Sequence, residues 1–350
     1  MRSNLLSIPT EAQLAPKKGI IKRIGRQLYG IAVALTGVDD KLNLSKLLKG
    51  TKICIVDVGA RFGFHDRWTQ LGDSLRIVLF EPNKDGYQEL VDQYKNDERV
   101  IIHNTALAES ASDITINLAA FPYSSSAFKH DDDFFSRLNF RDFYKDVDTL
   151  KIAAKRLDEV VKHPFDFIKL DVEGFELSIL KGSGDLIDTC VGIEAEVSYN
   201  SWAKGLPLFG DVDVFCKSKG FVLCKLSPPT HYHYILPDTR LEAQGLVFSG
   251  DALYFRSPFS VIELIKAGKW NKDRIISSVA MYLAYGHYEF AYVLLTEAIS
   301  EKMIANDDPL VKEAMALIGR RSGWKRSVGL SMMKRLKKLF RAGSHEGLDQ

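Results

Sequence analysis

From Thr51 onward the chain alternates between short continuous apolar runs and stretches whose apolar residues recur every three or four positions. Lys52–Val58, Leu75–Phe80, Val100–His103, Phe167–Leu170 and Val191–Val197 are runs of the first kind, the pattern of parallel strands covered on both faces. Segments such as Lys84–Tyr94 and Phe175–Leu180 lie between them and predict helices. Alternation at this spacing predicts an α/β fold with a doubly wound, mostly parallel sheet. Two later strands are expected at Phe221–Leu226 and Ala252–Arg256.

One insertion breaks the rhythm. Between Thr105 and Lys155 lie an alternating strand, Asp113–Leu118, a serine loop, Pro122–Ser126, and an acidic, aromatic, helix-like stretch, Asp131–Tyr144. An insertion at the carboxyl ends of strands is where a substrate cover sits.

The flanks have another texture. Residues 1–49 join a Pro-punctuated opening to an amphipathic stretch, with Ile20, Ile24, Leu28, Ile31 and Leu35 at helical spacing beside Lys22, Arg23 and Arg26. After Pro258, Val261–Ala267, Arg274–Tyr285, Phe290–Ile299 and Leu310–Ile318 all follow the helical period. Arg320–Arg341 then holds nine Lys or Arg and no acid. The chain thus divides into an N-terminal basic, amphipathic segment (1–49), a ligand-binding α/β domain (50–258) and a helical extension with a basic tail (259–350).

Composition narrows the class. A hydrophobic share of 46% and a charged share of 26% are those of an ordinary globular protein. The net charge of +2 says little about partners by itself, and the lack of any recognised RNA or DNA module argues against a nucleic-acid partner. Cys54, Cys190, Cys216 and Cys224 show no metal-ligand spacing and suit a reducing compartment. No apolar run reaches the length of a membrane span, and Pro9, Glu11 and Pro16 interrupt any secretory signal. A cytoplasmic location is expected. The basic tail, with Leu336, Leu339 and Phe340, offers weak peripheral contact with the inner face of a membrane; a solvated tail is the simpler reading. Nothing assigns an oligomeric state.

The candidate chemistry starts at Ile53-Cys-Ile-Val-Asp-Val-Gly-Ala-Arg-Phe-Gly63, where a buried strand ends in an acid and turns through Gly59, Ala60 and Gly63 towards a helix. Glycines admit a ligand close to the backbone, and a helix N-terminus offers free N–H groups. A dinucleotide would call for G-x-G-x-x-G under its pyrophosphate. Here the middle glycine is absent, and Asp57 would repel a pyrophosphate but attract an ammonium. S-adenosylmethionine carries that ammonium, with a sulfonium and one carboxylate, and is the better match. The next strand ends Leu79-Phe-Glu-Pro82, placing Glu81 24 residues after Asp57, close to the offset at which a carboxylate meets ribose hydroxyls. Either acid alone could be a helix cap or a surface charge. As a pair beside the glycine turn they read as a nucleoside site.

A third element, Phe167-Ile-Lys-Leu-Asp-Val-Glu-Gly-Phe-Glu176, sets Asp171 and Glu173 at the carboxyl end of a central strand. Residues two apart in extended backbone point the same way, so both acids are expected in one pocket. Glu196 approaches them from the next strand, and Glu176 suits a helix N-terminus.

Taken together, Val56-Asp-Val-Gly-Ala-x-x-Gly63, Phe80-Glu-Pro82, Asn104-Thr-Ala-Leu107 and Ile168-Lys-Leu-Asp-Val-Glu-Gly-x-Glu176, followed by Leu180-Lys-Gly182, resemble the FkbM-type methyltransferases over roughly residues 50–256. The resemblance implies a class I, Rossmann-like methyltransferase sheet of seven strands with the last antiparallel. It implies S-adenosyl-L-methionine held by Asp57, Gly59, Ala60, Gly63, Glu81, Pro82, Asn83, Thr105 and Ala106, and O-methylation of a sugar hydroxyl in a glycan or natural product. Arg61 and Phe62 depart from the small polar residues common in that turn.

An alcohol acceptor must lose a proton, and Asp171 or Glu173 is the expected base, alone or through a divalent cation, for which no ligand motif is evident. His231 and His233 are read as a surface pair, His130 with Asp131–Asp133 as a solvated loop, and Phe121, Tyr123 and Phe128 as core before sugar-stacking residues. The alternatives to a glycan enzyme are an O-methyltransferase of a polyketide or other small-molecule hydroxyl, and a non-catalytic interaction protein on the same scaffold.

Overall fold

The computed structural model describes residues 42–236 and 244–321; the amphipathic N-terminal stretch and nearly all of the basic tail lie outside them. In chain order the main strands are β1 (Ile53–Val58), β2 (Leu75–Phe80), β3 (Val100–His103), β4 (Ala106–Leu107), β5 (Ser112–Ala119), β6 (Asp146–Lys155), β7 (Phe167–Leu170), β8 (Gly192–Ser198), β9 (Phe221–Leu226), β10 (His231–Tyr232), β11 (Leu246–Val247) and β12 (Ser249–Arg256). The helices are α1 (Lys84–Tyr94), α2 (Asp132–Phe135), α3 (Leu157–Val160), α4 (Glu176–Lys181), α5 (Phe209–Ser218), α6 (Pro258–Lys266), α7 (Arg274–Ala284), α8 (Tyr288–Ser300) and α9 (Pro309–Arg321).

The main sheet has seven strands in the order β3-β2-β1-β7-β8-β12-β9. Neighbours from β3 to β8 are parallel, and β12, last in the chain, is antiparallel to both β8 and β9. This is the expected α/β class I methyltransferase sheet. The strand order reverses beside β1, which has β2 on one side and β7 on the other. Open α/β sheets bind ligands outside the carboxyl ends of the strands at such a switch point.

One face of the sheet buries Val56, Val58, Phe80, Ile168, Leu170 and Ile193 against Leu157, Ile179, Leu180, Val212 and Cys216 of α3, α4 and α5. The other face buries Ile53, Ile55 and Phe167. There Tyr285 packs on Phe167 at 4.7 Å and on Phe255 at 5.5 Å, and Tyr282 meets Phe255 edge-on at 5.2 Å. Hydrogen bonds tie this helical region across the expected boundary at Pro258: Tyr282 Oη donates to the Arg256 carbonyl at 2.6 Å, and the Arg274 guanidinium pairs with Asp166 at 2.5 Å. The C-terminal helices therefore supply the layer that any doubly wound sheet needs on its second face. Among the described residues no helix is long and apolar enough to cross a membrane.

The insertion holds a strand that the apolar pattern does not announce. β6 pairs antiparallel with β5 and parallel with β4, making a second sheet of order β4-β6-β5. Most of β6 is exposed, so it lacks the apolar run that betrays a buried strand. Within the helix-like stretch only α2 and a 3₁₀ turn at Arg141–Phe143 are helical.

Candidate active site

The carboxyl ends of β1, β2 and β7, with the inner face of the small sheet, enclose a cavity of about 350 Å³. Of the residues expected at the cofactor, Gly59, Glu81, Pro82, Asn83, Thr105 and Ala106 line it, as do both expected catalytic acids, Asp171 and Glu173. Asp57, Ala60 and Gly63 do not.

The glycine turn is built for backbone proximity. Gly59 has φ 83°, and a Cβ there would stand 1.9 Å from the Asp171 carbonyl oxygen. The turns after β1 and β7 thus touch at this residue. The expected helix after Gly63 is instead a 3₁₀ run, Asp66–Ser74, broken by left-handed Gly72. Phe64 stacks on Tyr94 at 5.2 Å and its N–H donates to the Tyr94 hydroxyl, which also sits over Gly63. The Phe64 N–H is therefore taken up by α1, and that of Arg67 by the His65 side chain.

Glu81 is 5% exposed. Its Oε1 accepts from the Asn83 N–H at 2.8 Å, while Asn104 Nδ2 donates to the carbonyls of Glu81 and Pro82. Asn83 caps α1 by accepting from the Gly86 N–H at 3.0 Å. These bonds fix the acid at the cavity wall. Burial raises its pKa, against the lowering effects of the Asn83 N–H and Arg61.

Asp57 is set back because strand register turns it elsewhere. It stands opposite Lys169 of β7, which in turn stands opposite Glu194 of β8, so the three side chains share one face. Lys169 Nζ lies 3.0 Å from Asp171 Oδ2 and 3.8 Å from Asp57 Oδ1, and the latter oxygen has no hydrogen-bond partner. Desolvation pushes Asp57 up to about 7 despite the lysine. Glu194 accepts from the Tyr285 hydroxyl at 2.9 Å, joining the ladder to the C-terminal helices.

Glu173 reaches the cavity through a left-handed turn and not through strand alternation. β7 ends at Leu170, and Glu173 adopts φ 55° followed by Gly174 at 96°. A left-handed non-glycine residue is strained, and such strain gathers at functional sites. Ser126 Oγ holds the turn by donating to the Glu173 carbonyl at 2.6 Å, and Glu176 Oε1 accepts from the Val172 N–H at 2.9 Å. Burial, then Asp171 and Glu176, raise Glu173 well above the ordinary carboxylate range. Glu196 is raised likewise by burial and by Glu173, Asp171, Glu176 and Asp251.

The insertion forms the outer wall with Ile114, Ile116, Leu118, Tyr123, Ser125 and Ile152. Behind it His130, read as part of a solvated loop, is 3% exposed, stacks on Trp202 at 5.1 Å and pairs through Nδ1 with Asp146 at 2.5 Å. The distant Trp202 and Asp146 that enclose it leave no local trace beside His130 in the sequence. His231 is exposed, as expected. Phe128 packs on Phe175, whereas Tyr123 faces the cavity. Among the described residues no group of three or more His, Cys, Asp or Glu side chains is arranged to hold a metal ion.

Residues 57–223 match the model of the methyltransferase FkbM domain. A methyltransferase FkbM from Methylobacillus flagellatus is 20% identical over 58% of this chain and 43% of its own, with a TM-score of 0.34. The match therefore spans less than half of that protein. An rRNA methylase from Streptococcus thermophilus is 10% identical over 61% of this chain and 92% of its own, TM-score 0.30. A SAM-dependent methyltransferase from Aquifex aeolicus is 12% identical over 64% and 98%, TM-score 0.28. No curated protein matches the chain.

Proposed function

Because residues 57–223 match the methyltransferase FkbM domain, we propose that this chain is an S-adenosylmethionine-dependent methyltransferase of that family and that it methylates a hydroxyl oxygen of a sugar in a glycan or glycoconjugate. The observation that carries this reading is the pairing of acids across one cavity, with Glu81 at the β2 end and Asp171 and Glu173 at the β7 end.

The cavity suits the cofactor. Its volume of about 350 Å³ falls in the range of small-molecule sites. Glu81, with one oxygen committed to Asn83, keeps acceptor capacity for a ribose diol, and charge-assisted bonds of this kind are the strong ones. Ile114, Ile116 and Ile152 offer apolar surface for a purine, beside Thr105 and Ala106. When bound, S-adenosylmethionine supplies an electrophilic methyl carbon. The chain's own task is to align the acceptor oxygen and remove its proton. Glu173, raised above the ordinary carboxylate range by burial and by its neighbouring acids, takes that proton. Asp171, held 3.0 Å from Lys169 Nζ, orients the hydroxyl. Ser125 and Tyr123 add polar and aromatic surface of the kind a sugar uses. The cytoplasmic setting is supported by four cysteines that are all unpaired.

The test is incubation with labelled S-adenosylmethionine and a panel of sugars, lipid-linked glycans and polyketide alcohols, read by mass spectrometry. Glu81→Gln should weaken S-adenosylhomocysteine binding about tenfold to a hundredfold. Glu173→Gln should lower turnover about 10²- to 10⁴-fold. Label on polyketides but never on sugars would reject the substrate class, and unchanged turnover in Glu173→Gln would reject the base. Dependence on a divalent cation is read from turnover in excess chelator.

A further inference from the structure

Five aromatic rings run outward from the cavity. Phe62 and Tyr123 line its mouth with centroids 5.2 Å apart. Tyr123 meets Phe121 at 5.0 Å, Phe121 stacks on Phe143 at 5.1 Å, and Phe143 stacks on Phe140 at 5.6 Å. Phe140 then reaches Tyr232 at 5.2 Å, where the row enters the buried cluster around Trp202 and Phe248. Phe62, Phe143 and Phe140 are 61%, 46% and 37% exposed. A core would hide such rings.

The row is also held rigid. The Phe121 N–H donates to the Phe143 carbonyl, and the Ala120 N–H to the Lys145 carbonyl. Asn139 exchanges two bonds with His233: its N–H donates to the His233 carbonyl, and its Oδ1 accepts the His233 N–H. Three segments far apart in sequence are thereby fixed in one platform. Preorganised aromatic surface binds at low entropic cost.

Resting on the sugar reading above, we propose that this row is an acceptor subsite for an extended oligosaccharide, whose reactive ring enters the cavity while the following rings lie along Phe121, Phe143 and Phe140. Because Phe121, Phe143 and Phe140 stack on one another, what they offer outward is the exposed edge of the row, an apolar strip on which the C–H groups of a pyranose pack while its hydroxyls stay at the rim. Arg141 and Asp142, whose side chains are 55% and 87% exposed, stand between Phe140 and Phe143 in sequence and supply a donor and an acceptor for such hydroxyls. Each step of the row is comparable with the length of one sugar ring. An acyl or polyketide chain would have no use for the charged groups and would be better served by flexible aliphatic side chains.

The experiment measures KM for mono- to hexasaccharides of glucose, galactose and mannose, with wild type, Phe143→Ala, Phe140→Ala and Phe143→Tyr. In wild type KM should fall as rings are added and then level off. Each alanine variant should raise KM for the long acceptors roughly three- to tenfold and flatten the series, and Phe143→Tyr should restore it. S-adenosylhomocysteine affinity, read by calorimetry, reports that each variant is folded. A series with no dependence on length in wild type, or alanine variants that keep the wild-type slope, would overturn this subsite while leaving sugar methylation standing. Transfer to no sugar of any length would overturn both.

Discussion

The ammonium of Lys169 stands 3.0 Å from the carboxylate of Asp171, two residues further along the chain. The same ammonium is 3.8 Å from Asp57, which is almost wholly buried. Burial alone would lower the lysine's pKa, but Asp171, Asp57 and Glu194 together raise it above its ordinary value. Lys169 is thus the cation that keeps Asp57 and Asp171 compatible with one another, while Glu194, further back on the same face, also has Arg67 at 3.8 Å.

Removing it should be expensive. Lys169→Met leaves Asp57 buried beside Asp171 and Glu194 with no counter-charge, and breaking a buried pair from one side costs about 3–5 kcal/mol. The double variant Lys169→Met/Asp57→Asn should recover much of that loss, because the orphaned charge goes with its partner. Urea unfolding of the three variants measures the coupling. A double variant as unstable as Lys169→Met would show that the pair is incidental.

Gly59 offers a sharper test of how the two strand ends are joined. An alanine there must take a left-handed φ and push its Cβ against the Asp171 carbonyl, a backbone atom that cannot swing aside. Gly59→Ala should lose more than about 2 kcal/mol of stability, and S-adenosylhomocysteine affinity and turnover should fall together because Asp171 moves with the turn. Gly205, also left-handed but with nothing within 4 Å of a built Cβ, is the control. Gly205→Ala should cost about 1 kcal/mol, the backbone strain alone.

Much of this site is legible in the sequence because its parts are local. Each strand end carries its own acid, and the apolar runs locate β2, β3, β7 and β9 to the residue. What escapes is decided by pairing between distant segments. β6 is recognisable only through its partners β4 and β5, since its own residues are mostly exposed. Asp57 turns to Lys169 through strand register, which the order of residues along β1 does not contain. Glu173 enters the cavity through a left-handed turn where strand alternation was the expected reason. The resemblance to a methyltransferase family rested on the segments around Asp57, Glu81 and Asp171. These all fall within the residues that match the family model.

Stability and turnover should respond to pH in opposite directions. Burial is the largest cause raising Asp57 from 3.8 to about 7, Glu176 from 4.5 to about 7 and Asp251 from 3.8 to about 6, and it raises Glu173 and Glu196 too. For each of these groups the folded chain keeps a proton that the unfolded chain has released, so the unfolded state binds fewer protons across the window. Stability therefore declines as pH rises from the ordinary carboxylate values towards 7. His103, lowered from 6.5 by burial and Lys155, acts the other way, but as one group against these five together with Glu81 and Asp166, which burial also raises. Asp97 and Asp158, lowered by their arginine partners, change protonation only at more acid pH. The cofactor-free protein should thus melt at a higher temperature at about pH 5.5 than at about pH 7.5, and Glu196→Gln should narrow the gap. Turnover should instead climb as pH rises above the ordinary carboxylate range, because Glu173 must lose its proton before it can accept one from a hydroxyl. That rising limb should disappear in Glu173→Gln. A melting temperature that rises with pH across the window would mean that these carboxyl groups are already ionised in the fold, and that Glu173 is too weak a base for the part assigned to it.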